Sequence, residues 1–176
     1  MRFAAVLTVA LAAAFVVSAT APASTPEGAT ERRLSLEQQV VRELNEARAA
    51  HGLARLRAQP GLRAAAVWHT KSMLASGFFA HESPDGTPFH DRVRKHYSNR
   101  GWQRWSVGET LVAGRASLDA RAVVAAWLAS PAHREIVLSP GWREVGIGAF
   151  YRPDAPGTFG GTETLAVTAD FGLRQK

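Results

Sequence analysis

The sequence predicts an α+β domain, and three observations carry that reading. Segments with helical spacing of apolar residues fill the chain as far as residue 138. Two strictly alternating segments then close it, at 145–151 and 165–171. A Gly/Pro-rich connection, 153–162, joins the two as an antiparallel hairpin with a mobile tip. Helices followed by a hairpin imply a layered domain, because an apolar sheet face must be covered by something.

The chain has 176 residues, enough for one domain once a leader is removed. Apolar residues make up 46% and charged residues 20%, so a packed core is expected rather than disorder. No repeat is visible and no second domain fits. There is no cysteine, which excludes disulfides, thiol nucleophiles and thiolate metal sites together. The net charge of +6 makes contact with cell wall, lipid headgroups or nucleic acid electrostatically easy, without selecting among them.

Residues 1–23 read as a signal peptide. Arg2 starts it, Phe3 to Val17 is apolar, and the small residues from Ser18 to Ala23 offer cleavage after Ala19 or Ala23. The apolar run is short for a membrane span, and no cysteine is available for a lipid anchor. Secretion, to the outside or the periplasm, is therefore expected. Residues 24–34 are polar and Pro/Gly-bearing, a flexible lead-in. The folded domain is expected over 35–174.

Its first helix starts at Ser35, where Ser35 and Gln38 fit a capping box. Leu36, Val40, Leu44 and Ala47 follow helical spacing and Gly52 is a natural stop; Asn45 and Arg48 read as a solvated or locally bonded face. The second helix starts near Pro60, with Leu62, Ala66, His69 and Met73 in one stripe and Gly77 at its end. His69 on that apolar face reads as a hydrogen-bonded core histidine before it reads as a ligand. Phe78 and Phe79 are expected to anchor the chain in the core and fix where His81 emerges, in a loop beside a rigid helix end. Ser83 to Gly86 forms a turn, and Thr87-Pro88 starts a short helix to about Lys95 that carries His90 and Asp91.

From Arg92 to Arg104 the basic residues Arg92, Arg94, Lys95, Arg100 and Arg104 alternate with Tyr97, Trp102 and Trp105. This reads as a solvated basic face with the aromatics turned inward. No nucleic-acid fold signature accompanies it, so no nucleic-acid partner is expected; an anionic component of the cell envelope is the surface partner such a face would suit. Glu109 sits among small and apolar residues and needs a partner. A further helix, Ala120 to Ala129, is capped by Ser117 or Asp119. Ser130-Pro131 then starts another, to Leu138, with His133 in its first turn. The positive end of a helix disfavours an imidazolium, so His133 is expected to be neutral.

Five ordered pieces resemble the bacterial, SCP-like extracellular branch of the CAP superfamily, the cysteine-rich secretory, antigen-five and pathogenesis-related proteins. They are Leu44-Asn45-x-x-Arg48 with Gly52-Leu53-x-x-Leu56; Gly77-Phe78-Phe79-x-His81 with Ser83-Pro84-Asp85-Gly86; Gly108-Glu109; Trp127-x-x-Ser130-Pro131-x-His133-Arg134; and Val145-Gly146-Ile147-Gly148. The resemblance implies an α-β-α sandwich with a three-stranded antiparallel sheet, its third strand near Val107–Val112. It also implies a central cleft where two histidines and acidic residues hold a divalent cation, often zinc. By motif these are His81, His133 and Glu109. Asp91 is the nearest match for the second acid, with His90 where related chains often carry an acid. Thr110 stands where the family usually has Asn.

The residues alone allow that chemistry. Two neutral imidazoles and a carboxylate suit zinc and leave a position open for water. Without metal, the same trio is an acid/base pair. No Gly-x-Ser-x-Gly or His-Glu-x-x-His is present. The favoured reading is a secreted, monomeric binding module whose cleft takes a metal and a small ligand, lipid or peptide. An extracellular metal-dependent or acid/base hydrolase is the first alternative. An envelope-surface adhesion protein using the basic, Trp-bearing face is the second. Whether the chain is an enzyme is left open by its residues.

Overall fold

The computed structural model describes residues 28–176. The signal-peptide reading of 1–23 lies outside the described residues. The second half of the lead-in is built into the sheet: β1 (Glu31–Arg32) pairs antiparallel with the last long hairpin, opposite Tyr151 and Phe150. That pairing also changes how the first helix begins. Arg33 N donates to Ala149 O at 2.9 Å, so the chain is already held when α1 (Leu34–Ala50) starts. Arg33 is the N-cap residue and makes no side-chain cap bond; Ser35 is already the second residue of the helix, and the capping box is not used. Glu37, buried in the first turn, takes Arg32 Nε at 2.7 Å and Nη2 at 2.9 Å instead, a placement the helix dipole favours.

Asn45 and Arg48 are buried, which corrects the solvated face expected for them. Asn45 holds Leu56 twice, through Leu56 N at 2.7 Å and Leu56 O at 3.1 Å. Arg48 spends Nη1 on Val137 O at 2.7 Å and Ser139 O at 2.9 Å, and Nε on Ala54 O at 3.0 Å. It thereby ties α1 to the end of a helix far along the chain.

After β2 (Arg57–Ala58) comes α2 (Pro60–Ser76), capped by Gln59, which accepts from Leu62 N at 2.8 Å. Leu62, Ala66, His69 and Met73 are all buried, as their stripe predicts, and Gly77 ends the helix at φ +73°. There follow α3 (Phe89–His96), β3 (Arg104–Gly114), α4 (Ala120–Ala129), α5 (Pro131–Val137), β4 (Glu144–Ala155) and β5 (Thr162–Gln175). Asp119 caps α4 through Ala122 N at 2.8 Å. Ser130 precedes α5 without a side-chain cap bond.

The long strands β3, β5 and β4 form the expected antiparallel core of the sheet, with β5 in the middle. The sheet is larger than three strands, because β1 and the parallel β2 both pair with the outer edge of β4. The two-residue strands have no periodicity to betray them. The hairpin tip is shorter than expected and docked, with Thr158 N donating to Gly77 O at 2.9 Å. Valines, leucines and Trp127 of α1, α4 and α5 cover one sheet face, against Val145, Ile147, Val167 and Phe171. The second helix and α3 cover the other face, giving the α-β-α sandwich. Among the described residues, no helix is long and apolar enough to cross a membrane.

α2 lies directly on β4 because Gly146 and Gly148 have no side chains. A Cβ at Gly146 would sit 2.0 Å from Arg63 N, and one at Gly148 2.5 Å from Ala66 C. Both obstacles are backbone, so relief requires lifting the helix. Gly146→Ala should lower stability by about 3 kcal/mol, read as a fall in the urea midpoint; an unchanged midpoint would mean the contact is looser than drawn.

Candidate functional site

Four buried or half-buried groups meet where β3 passes under α3. Glu109 points from β3 with its side chain out of solvent, and its Oε2 pairs with Arg92 Nη2 from α3. Its Oε1 accepts from His81 Nδ1 at 2.8 Å. Arg92 Nη1 donates to the His81 carbonyl at 2.8 Å. His81 is thus gripped at ring and backbone by the two halves of one ion pair, while its side chain stays 44% exposed. Accepting from Nδ1, the Glu109 carboxylate fixes the tautomer and leaves Nε2 as the ring nitrogen free for chemistry. It also raises the His81 pKa, first through that hydrogen bond and then through its charge, against the opposing pull of partial burial.

Asp170 of β5 stands opposite Glu109 in the ladder and is fully buried. Ionised, it would have no donor, since neither of its oxygens has a partner among the described residues. Burial, then the charge of Glu109, raises its pKa well above the usual range, so the neutral acid is favoured there. His69 lies in the same dry region. Its Nε2 donates to Ala80 O at 2.8 Å, so the residue before His81 is pinned. Burial pushes its pKa down to about 4, which makes it neutral at pH 7. The core role expected for His69 is the one it has.

His133, on α5, is half-buried, and its pKa is lowered, first by burial and second by the charge of His81. Both causes favour the neutral ring, and neither is the helix end. The same charge effect brings His133 and His81 into one electrostatic neighbourhood. Asp91 is not brought there: its carboxylate pairs with Arg94 at 2.8 Å and His90 at 3.8 Å on the exposed side of α3. Phe79 is no core anchor either; it is 40% exposed and packs on Phe159. Thr110 Oγ1 is buried without a partner among the described residues. Among the described residues, no group of three or more His, Asp or Glu is gathered closely enough to hold a metal.

Two members of this cluster were missed in the sequence. Arg92 was read as part of a solvated face, and its pattern there carries no sign of burial. Asp170 had a signal: an acid inside a strand whose neighbours on both faces, Ala166 to Phe171, are small or apolar. Ring titration by NMR should separate the three histidines. His69 should titrate near 4, His133 below its ordinary value and His81 above it. Glu109→Gln should bring the His81 midpoint down. A raised folded pKa stabilises most below the unfolded value, so the His81 contribution is lost as pH rises through the raised midpoint. The His69 contribution runs the other way, about 3 kcal/mol being lost as pH falls from the ordinary histidine value of 6.5 to about 4. Coincident midpoints for His69 and His81 would sink this assignment.

The fold and this cluster can be set beside known proteins. An extracellular protein containing an SCP domain from Bacillus anthracis str. Ames superposes with TM-score 0.62 at 24% identity, covering 81% of this chain and 41% of its own. An outer surface protein from Borrelia burgdorferi gives TM-score 0.64 at 21% identity, covering 84% of this chain and 99% of its own. A cysteine-rich secretory protein from Staphylococcus aureus subsp. aureus Mu50 gives 0.53 at 16%, covering 83% of this chain and 40% of its own. The chain thus spans about two fifths of the first and third. No curated protein matches it. Residues 41–161 match the Cysteine-rich secretory protein family, CAP. That match covers more than half of the chain, and the chain belongs to the CAP family.

Proposed function

We propose that this chain works outside the bacterial cell as a binding module, and that the cleft at His81, Glu109 and His133 takes a divalent cation, zinc foremost, together with a small ligand, lipid or peptide. The observation that carries the reading is the Glu109–His81 bond at 2.8 Å. A carboxylate on one ring nitrogen, with the other left free, is how a metal-ligating imidazole is held and made more basic. His133 supplies a second, neutral imidazole. The extracellular or outer-surface names of the structural relatives support the location, as does the leader read in residues 1–23.

The donor set fits a weak, exchangeable site of two imidazoles and water better than a closed one. Both oxygens of Glu109 are engaged, one by Arg92 and one by His81. Glu109 is therefore the group that orients His81 rather than a third ligand, and Asp91 is too far committed to Arg94 to serve. Bound there, zinc would act as a Lewis acid on whatever ligand filled its open positions. The protein's own part is to hold the His81 tautomer and to keep His133 uncharged.

Zinc titration by calorimetry tests this on the mature chain. The wild type should take one ion, and His81→Ala and His133→Ala should each lose it. Glu109→Gln should weaken it by roughly 10- to 100-fold without abolishing it. Identical behaviour of all four proteins would remove the metal from the cleft.

A further inference from the structure

The basic residues around the end of α3 are gathered by three aromatic rings into one surface. Trp105 and Arg174 stand opposite each other in the β3–β5 ladder, on the sheet face that α3 covers. Trp105 Nε1 donates to Tyr97 O at 2.9 Å, which ties the end of α3 to the start of β3. The Arg174 guanidinium lies 4.0 Å from the centre of the Tyr97 ring and 5.0 Å from that of Trp102. Strand side chains alternate with a period of two, so Lys176 follows on the same face, with its Nζ 5.8 Å from the Trp102 ring. Arg94 covers the Trp105 ring at 5.2 Å. Arg100 stands exposed in the turn between, where Trp102 N donates to Asn99 O at 3.2 Å.

Few anions answer these charges. Glu144 accepts from Tyr97 Oη at 2.6 Å and lies 3.6 Å from both Arg57 and Arg174. Asp91 is taken by Arg94 and His90. Arg57, Arg94, Arg100, Arg174 and Lys176 thus stand against two side-chain carboxylates, both already engaged. Arg100 and Lys176 form no ion pair with a described residue. A ring under a guanidinium uses its face and leaves the in-plane N–H edges for anions. It also holds a long side chain in place beforehand, which lowers the ordering cost of association. The large apolar side chains exposed among the described residues are Leu34, Trp68 and Phe79, and none of them helps to build this surface. Trp68 comes to α3 on another side, beside His96, which is about 200° round the helix from Arg94.

We infer that this surface docks a water-borne phosphodiester chain, a polyol-phosphate polymer of the cell envelope, given the location outside the cell proposed above. A flexible chain with one charge per unit can bring successive phosphates to successive cations. Each guanidinium edge then donates to phosphate oxygens in charge-assisted bonds. The Trp rings are half-buried and roofed by cations, so they offer no open face on which a base could stack. The surface also lacks an apolar side chain to enter a bilayer, which favours a polymer in water over a membrane. It is separate from the His81 cleft: Trp105 lies four residues before Glu109 along β3, about 13 Å away.

A fluorescently labelled decamer of glycerol phosphate is the probe, titrated with the mature chain and read by anisotropy. With about four phosphates held, the logarithm of the binding constant should fall against that of salt with a slope of about −3, roughly 50-fold between 50 and 200 mM. Arg100→Ala with Lys176→Ala, both exposed, should flatten the slope by about 1.4 and weaken binding at least about tenfold. Arg42→Ala with Arg121→Ala, exposed cations on α1 and α4, should change neither. Trp102→Leu removes no charge, and should weaken binding about threefold at an unchanged slope, because Arg174 and Lys176 lose their seat. No binding at low salt overturns the proposal. So does an equal loss in the two double variants, which would make net charge the cause, or an unchanged affinity in Trp102→Leu. Binding to phosphatidylglycerol vesicles but not to the decamer overturns it in favour of a membrane. A thymidine decanucleotide that binds about tenfold tighter than the probe overturns it in favour of stacked bases. Loss of binding in His81→Ala overturns it too and moves the polymer to the cleft.

Discussion

The buried ion pair of Arg92 and Glu109 is the constraint on which the His81 cleft depends. Their side chains are 3% and 0% exposed. Taking two charges out of water costs several kcal/mol each, and their attraction offsets this only if the remaining donors and acceptors are also used. Here Glu109 Oε1 and Arg92 Nη1 are both used on one residue, His81, at its ring and at its carbonyl, while Arg92 Nε has no partner among the described residues. A third charge would upset the balance, and at Asp170, opposite Glu109, burial and the Glu109 charge raise the pKa and so oppose it. The region then holds one buried cation and one buried anion, and the polarised group facing solvent is the imidazole. Stability is not the evident gain, since a hydrophobic replacement of such a pair is often as stable. Orientation of His81 is.

That orientation is reached through packing laid down far from the histidines. The missing side chains at Gly146 and Gly148 let α2 rest on β4, which sets the depth of His69. Its bond to Ala80 then fixes the loop one residue before His81. His133 arrives by another route. The Arg48 guanidinium on α1 holds the carbonyls of Val137 and Ser139, and so holds the end of α5. The two histidines therefore come from helix layers on opposite faces of the sheet. The charge of His81 is felt at His133, and at the β3 edge Ile136 and Trp142 close over Gly108. Each layer can be perturbed separately, so the cleft reports on both.

How much of this was legible follows from which interactions are local. Helices and long strands show as periods of apolar residues, and α2 and the β4–β5 hairpin fall where those periods put them. Glu109 was legible because an acid among Val107, Gly108 and Leu111 must be paired. The stripe that holds His69 gave its burial. Arg48 and Arg92 were not legible, because their partners are carbonyls and a carboxylate 89 and 17 residues away, and nothing near them in the chain marks them as buried. Asp91 misled for the opposite reason: it stands close to His81 in sequence, but the helical turn spends it on Arg94. The strands β1 and β2 are too short to have a period at all.

A more general point concerns where this fold leaves room. The middle strand β5 is buried on both faces from Thr164 to Leu173, and the only chemistry it carries is the Asp170 carboxyl. Edges are different, because an edge strand has a row of backbone groups that something must cover. At β3 the cover is a helix end and a loop, and polar side chains from both reach inward there. At β4 it is two short strands that stop before they meet. The sheet centre can only support a site from behind, as Asp170 does for Glu109. Polar groups that touch solvent therefore collect at its two edges, and substitutions in that stretch of β5 should be felt as stability or as a change in the charge around His81.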